Sequence, residues 1–381
     1  MITYHRAEPR ETAEIIEFIN MVFSMAHSPF DFKRGIPKVY GDDACIYAQH
    51  YIARKDGKIV GVVGLMPGMM HIGGEALKTG VIGSVSTHPY ERGGGYMKEC
   101  MRLALEDART AGMHLLSLGG QRQRYEYFGF VPGGKRLVFH LNSSNFRHAF
   151  KEIEAGEITF AEISEEGSPY LRAAVALHAS QDLYTERSGE QFLRIAHTWE
   201  DKLYAILDGG VFIGSVIASG DGNHIKEITM DAPGAMLRVM KGWYEQKSRG
   251  FDVTLSPIDN ENIRALSRVA ERAGIESGYM YQFLDYGRCV RAFLKLKAKF
   301  TRLPEGEFTF TVDGAPSITA SILRGNVEVL KAGKAPDVEF THLEAENMLL
   351  SDMWWTDENK LPMCALQWFP LPVYVASPDS F

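Results

Sequence analysis

The sequence predicts an α+β protein of three domains, the first two built on one plan. Three observations carry this reading. The chain has 381 residues, more than a single hydrophobic core usually organises. A hairpin signal followed by strand, helix, strand and helix occurs twice, the copies lying roughly 150 residues apart. From about residue 290 the pattern changes to strict alternation, the mark of a further small sheet.

The elements follow in order. Ile15, Ile16, Ile19 and Val22 recur at helical spacing, so residues 11–23 form a helix. SMAHSPFDFKRGIPKVY is polar, aromatic and broken by Pro29 and Pro37, and reads as a loop. Residues 51–68 are two β-rich runs around Asp56-Gly57, a hairpin signal, and the strand pattern continues to Thr87. From Tyr96 onward Met97, Met101, Leu105 and Ala108 share one helical face, which Gly112 closes. A short apolar run, MHLLSLGG, and the segment RYEYFGF come next. KLYAILDGGVFIGSVIAS, 202–219, then repeats the hairpin around Asp208-Gly209, and the following strands and helices repeat the first half. GEFTFTVDGAPSITASILRGNVEVLKAG supplies alternating strands with turns at Asp313-Gly314 and Arg324-Gly325-Asn326. PDVEFTHLEAENMLLSD adds a strand and a helix.

Composition narrows the function. With 45% apolar and 23% charged residues the chain is an ordinary globular protein, and a net charge of −7 disfavours nucleic acid as a partner. An acidic balance suits a cationic partner instead. Cys45, Cys100, Cys289 and Cys364 are widely spaced and form no CxxC pair, so neither a disulfide framework nor a zinc site is expected. The 12 histidines contain no HxxxH or HExxH pair, so no metal is expected. No signal peptide and no apolar run long enough to span a bilayer are visible, which points to a cytoplasmic protein with no membrane partner.

The informative stretch is THPYERGGGYM, residues 87–97, between a β-like run and an amphipathic one. Consecutive glycines lose much backbone entropy on folding and must relieve a steric problem. A Walker loop, GxxxxGK[ST], fails because Lys98 occupies the second glycine's place. The dinucleotide pattern GxGxxG is met by Gly93 and Gly95 but also breaks at Lys98. The pattern [QR]xxGx[GA] is met by Arg92-Gly93-Gly94-Gly95-Tyr96, with Met97 in place of the usual small residue. Its logic is anion capture: first-turn N–H groups and the helix dipole attract a diphosphate, and glycines let it approach the backbone. A tight turn without ligand is the competing reading of the glycines alone. In the second copy Asp231-Ala232-Pro233-Gly234 stands in this place, with no arginine before the glycine, so that copy is expected to have lost ligand binding.

The run ending in VSTHP, the glycine loop, the amphipathic helix and YEYFGF one strand later resemble the GNAT superfamily of N-acetyltransferases over roughly residues 50–133. The repeated half and the alternating C-terminal region resemble the narrower Eis (enhanced intracellular survival) group. In that group an active GNAT domain precedes a degenerate one and a sterol-carrier-like domain. The resemblance implies domains at 1–150, 151–287 and 288–381, acetyl-CoA as donor, a primary amine of an aminoglycoside-like molecule, a polyamine or a lysine side chain as acceptor, and a homo-oligomer, often a hexamer. It places the pantetheine arm on Val85, Ser86 and Thr87. The diphosphate falls to Gly93, Gly94, Gly95, Tyr96, Met97 and Lys98 behind Arg92, and Gly120 and Gln121 line the same cleft.

Acetyl transfer to an amine needs a base, an oxyanion donor and a proton for the leaving thiolate. The resemblance gives the proton to Tyr125, five residues before Phe130, with Tyr127 as its rival. The backbone N–H of Val85 is the oxyanion donor expected. Glu126 is near but would alternate away from Tyr125 in an extended segment. The Eis group uses its terminal Phe carboxylate, and this chain also ends in Phe, at Phe381. A free α-carboxylate titrates near ~3.3–3.7 and is a weak base, so burial or a water relay has to assist it. Cys100 lies within the helix and reads as packing, which favours direct transfer over an acyl-enzyme. Met66, Met69 and Met70 could soften a pocket, although core filling is the simpler reading. HSPFDFKRGIP, 27–37, could wall an amine site or form a surface loop. The competing function is a lipid-binding module in which the GNAT unit is a relic.

Overall fold

The chain is described from a computed structural model, which covers all residues except 27–28, 42–43, 332 and 353–360. In the first third, strands β1 (Ile2–Arg6), β2 (His50–Lys55), β3 (Lys58–Ile72), β4 (Glu75–Thr87), β5 (Leu115–Leu118) and β6 (Val131–Gly133) alternate with helices. The helices are α1 (Thr12–Ala26), α2 (Phe32–Gly35), α3 (Pro37–Tyr40), α4 (Tyr96–Thr110) and α5 (Arg122–Tyr125). Asp56 and Gly57 both have positive φ, 50° and 82°, the type I′ signature that closes β2 on β3. Helix α1 buries Ile15, Phe18, Ile19 and Val22, and α4 buries Cys100, Met101, Ala104, Leu105 and Ala108. Two of the expected loop's segments are instead helical turns. Asp31 caps α2 by accepting from the N–H groups of Lys33 and Arg34, and Pro37 begins α3, where its missing N–H costs nothing. Residues 27 and 28 of that segment lie outside the described residues.

Next come strands β7 (Arg136–Leu141), β8 (Ile158–Glu162), β9 (Leu183–Thr185), β10 (Lys202–Asp208), β11 (Val211–Ala218), β12 (His224–Met230), β13 (Phe251–Leu255), β14 (Arg272–Glu276) and β15 (Tyr279–Phe283). They are accompanied by α6 (Ser143–His148), α7 (Leu171–Ala179), α8 (Gly189–Ala196), α9 (Met236–Lys247) and α10 (Asn260–Ser267). The first sheet runs β1-β2-β3-β4-β5-β15-β6, with β9 on the end of β3; the second runs β14-β7-β13-β12-β11-β10-β8. The two sheets interleave in sequence. Strand β7 lies inside the expected domain 1–150 yet pairs with β13 and β14, and β15, within 151–287, inserts between β5 and β6. Gly134, at φ 68°, turns the chain out of the first sheet after only three residues of β6.

The final third holds α11 (Tyr286–Phe300), β16 (Gly306–Val312), β17 (Ile318–Leu323), β18 (Asn326–Lys331), β19 (Val338–Phe340), α12 (His342–Leu350) and α13 (Met363–Trp368). Its sheet, β18-β17-β16-β19, is mixed, since β19 runs parallel to β16. Helix α11 has no counterpart in the sequence reading. It buries Cys289, Val290, Phe293, Leu294 and Leu296 in one core that also holds Leu77, Leu115 and Tyr281 of the first sheet. The C-terminal region is therefore packed directly on the first sheet. After α13 the chain runs back without regular structure, apart from a single turn at Ser377–Asp379.

Candidate active site

The site begins where two parallel strands part. Strands β4 and β5 pair from Thr79↔Leu115 to Ile82↔Leu118 and no farther. On its other side β4 pairs Val62↔Ser86 and Gly64↔Gly83, so Val63 faces both Ser84 and Val85 across a bulge. Bulges re-aim the backbone beside active sites. Ser84 adopts φ 47°, uncommon for a residue with a side chain. A buried hydrogen-bond chain holds it. The Nδ1 of His50 donates to the Ile46 carbonyl at 2.6 Å, which leaves Nε2 as acceptor for the hydroxyls of Tyr40 at 2.9 Å and Ser84 at 3.1 Å. Burial pushes His50 down to about 4, so its ring is neutral near pH 7.

Beyond β4, Gly93 and Gly95 take φ of 87° and 77°, and a Cβ on either would meet nothing within 4 Å. The loop is thus open on its outer side. Gly95 occupies the N-cap of α4 and has no side chain to satisfy the first-turn N–H groups. Gly94 is different: a Cβ there would lie 2.3 Å from the Tyr96 ring. These features fit an anionic group seated on the main chain of the α4 start.

Val85, Ser86, Thr87, Arg92, Gly93, Gly95, Tyr96, Met97, Lys98, Gly120, Gln121 and Tyr125 all border one cavity of ≈ 790 Å³. Of the expected donor contacts Gly94 alone is not on its lining; it packs against Tyr96 instead. Val22, Phe23 and Ala26 of α1 and Arg124 complete the wall. The helical pattern of α1 showed that Val22 is apolar and inward-facing but not which neighbour it meets.

Tyr125 ends α5 and is 5% exposed, whereas Tyr127 is 65% exposed beneath the Lys98 ammonium, 4.6 Å from its ring centroid. The segment is helical rather than extended, and Glu126 turns toward Arg122 at 3.4 Å. Gly120 makes room for the Tyr125 ring, since a Cβ there would lie 2.4 Å from it. Burial raises the phenol above its usual 10.0, so it keeps its proton at neutral pH.

Phe381 reaches the same strand from the far end of the chain. Its ring lies on Gly83, where a Cβ would come within 2.2 Å, and faces Phe32 and Tyr40 at 6.1 and 6.3 Å between centroids. Side chains that no local pattern marks hold the tail in place. Lys38 Nζ donates to the carbonyls of Pro378, at 2.6 Å, and Ser380. The fully buried guanidinium of Arg187 bridges Asp379 at 2.7 Å and Glu227 of β12 at 2.6 Å. Tyr279 donates to the Ser380 hydroxyl at 2.7 Å.

The second sheet shows the same parting of strands with a different outcome. Strands β12 and β13 pair only at His224↔Asp252 and Ile225↔Val253. Gly234 precedes α9 at φ 77°, but its N–H donates to the Glu261 carboxylate at 2.7 Å. In the second copy a carboxylate of the chain itself therefore meets an N–H beside the helix start. Among the described residues no group of three or more His, Cys, Asp or Glu is placed to hold a metal ion, and no helix is long and apolar enough to cross a membrane.

Splayed parallel strands, a bulge and an open glycine loop at a helix start form a cavity suited to a ligand with an anionic end. Residues 3–133 match the family model described as an acetyltransferase (GNAT) domain. That match assigns residues 3–133 to a GNAT acetyltransferase domain, a kind of domain that uses acetyl-CoA as donor. The chain's fold is shared at full length with GNAT-fold structures. A GCN5-related N-acetyltransferase from Anabaena variabilis aligns over 100% of both chains with TM-score 0.68 and 16% identity. Eis1 from Mycobacterium abscessus aligns over 100% of this chain and 99% of its own, with TM-score 0.66 and 14% identity. A probable N-acyltransferase from Enterococcus faecalis covers 96% and 97%, with TM-score 0.69 and 12% identity. No curated protein matches the sequence.

Proposed function

We propose that the protein transfers acetyl from acetyl-CoA to a primary amine in one ternary complex, using Tyr125 and the terminal carboxylate of Phe381. The observation that carries this reading is the meeting of the donor cavity and the chain terminus on one strand. Val85 borders the cavity and Gly83, two residues earlier, carries Phe381. The N–H groups of Gly93 and of Gly95 to Lys98 bind the diphosphate, and Val85–Thr87 align the pantetheine arm along the unpaired end of β4. The amine nitrogen attacks the thioester carbon; a C–N bond forms and the C–S bond breaks. The ammonium proton leaves toward the terminal carboxylate, directly or through water. Tyr125 gives its proton to the departing thiolate. The Val85 N–H meets the oxyanion, a contact worth most in a site that excludes water. The thiol of Cys100 is fully buried in the core, and burial pushes it up to about 12, so it does not serve as an acyl carrier.

The packing of the Phe381 ring on Gly83 supports the same reading, as does the carboxylate of Glu261 seated at the second copy's helix start. The test is release of free thiol from acetyl-CoA with an amine present. Tyr125→Phe is expected to lower kcat by about 10²-fold or more, the usual scale for a general acid, with acetyl-CoA affinity retained. A chain extended by a few residues beyond Phe381 is expected to bind acetyl-CoA and not turn over. Full activity in the extended chain removes the carboxylate from the reaction.

A further inference from the structure

The acceptor can be taken further, on the premise that the acetyl-transfer reading holds. A second cavity, ≈ 160 Å³, lies along the same β4–β5 seam. Thr79 and Val81 of β4 and Leu115 and Ser117 of β5 border it, whereas Val85–Thr87 and Gly120, farther along the same course, border the donor cavity. Phe381 stands at its edge. The two cavities therefore follow one another along the strand on which the chain terminus rests.

Its size and charge both restrict the occupant. A cavity of about 150 Å³ lined by apolar side chains takes one benzene, so this one has room for a single slender group. Met66, Met70, Val81, Leu115, Ile195 and Val375 make the wall mainly apolar, and the two methionines adapt to shape. The charged side chains on its lining are Lys38, Glu186 and Asp379. Arg187 is shared between Asp379 and Glu227, Lys38 donates to the Pro378 and Ser380 carbonyls, and Glu186 lies 3.2 Å from His71 Nε2. Acidic side chains outnumber basic ones on this lining, which suits a cationic occupant.

We propose that the acceptor is a primary monoamine on an apolar chain or ring, an alkyl- or aralkylamine, rather than a polycation. The apolar body fills the space between Met66, Met70 and Leu115, and the amine lies toward Phe381 and the acyl carbon. A polyamine or an aminoglycoside is larger than this space, so much of it would have to stay outside the cavity.

The experiment compares initial rates of thiol release from acetyl-CoA with 2-phenylethylamine, n-hexylamine, spermine and an aminoglycoside. The first two are expected to exceed the others by about tenfold or more in kcat/KM, the discrimination that pocket fit commonly gives. Ser117→Leu, which fills the cavity, is expected to raise KM for 2-phenylethylamine by about tenfold while acetyl-CoA still raises Tm. Val81→Phe does the same from the opposite strand should the first variant fold poorly. Equal or better turnover of spermine or the aminoglycoside overturns the proposal, as does an unchanged KM in a folded, cavity-filled variant. Stabilisation by acetyl-CoA with no reaction or binding of either monoamine sinks the acceptor assignment alone. Absence of any acetyl-CoA effect sinks the donor reading beneath it.

Discussion

Glu346 shows how strongly a single buried group can report on the structure. Its side chain is fully buried and its Oε1 accepts from the Phe283 N–H at 2.6 Å, tying α12 to β15. Burial raises its carboxyl well above the usual 4.5. The native state therefore holds this proton after the unfolded chain has released it, so the group costs stability as pH rises above the unfolded value. Glu346→Gln is expected to raise Tm increasingly between about pH 5 and pH 8, with no gain at about pH 4 or below. Thermal melts across that range check it, and a pH-independent effect would show that the carboxyl is ionised in the fold. Ser84 makes the opposite demand on its backbone. Ser84→Gly accepts the positive φ without strain and should leave turnover near wild type, whereas Ser84→Val should lose it. Steady-state kinetics distinguish the two outcomes.

At the scale of elements, the start of α4 is the structural device on which donor binding rests. Gly95→Ala forces a Cβ into φ 77° at a strain of about 1–2 kcal/mol. The free loop can relax away from φ 77°, so binding has to restore the strained turn, and calorimetry is expected to show acetyl-CoA affinity falling by about tenfold. Gly234→Ala has the same φ of 77° before α9 and serves as control: stability drops, and acetyl-CoA affinity does not. These elements were legible because their information is local. The Asp56-Gly57 turn, the helical face of α4 and the glycines before it are each written within a few residues. Helices α2 and α3 were not, since prolines mark helix starts as well as loops. Nor was the exchange of β7 and β15, because a strand's alternation names a face and not the sheet it joins. Lys38, Arg187 and His50 were missed for a related reason. Lys38 meets a carbonyl 340 residues away, and nothing in its neighbourhood announces that.

The whole molecule is closed by its own tail. Arg187 joins the second sheet, through Glu227, to Asp379 and so to the strand that carries the donor cavity. Removing one partner from a buried pair strands the other charge at a cost of about 3–5 kcal/mol. Arg187→Ala is expected to lose about that much in denaturant unfolding and to free the terminus. Carboxypeptidase should then release Phe381 from the folded variant faster than from wild type. Lys38→Met, which removes the bonds to the Pro378 and Ser380 carbonyls, should raise the release rate with a smaller loss of stability. A terminus equally resistant in all three proteins would mean that these cations do not hold it. The measurement that bears most directly on the mechanism is a crystal structure with acetyl-CoA bound. Diphosphate oxygens should sit within about 3 Å of N–H groups between Gly93 and Lys98, with the thioester between Val85 and Tyr125 and Phe381 still on Gly83. A diphosphate bound elsewhere, or a donor that can enter only by expelling Phe381, would contradict it.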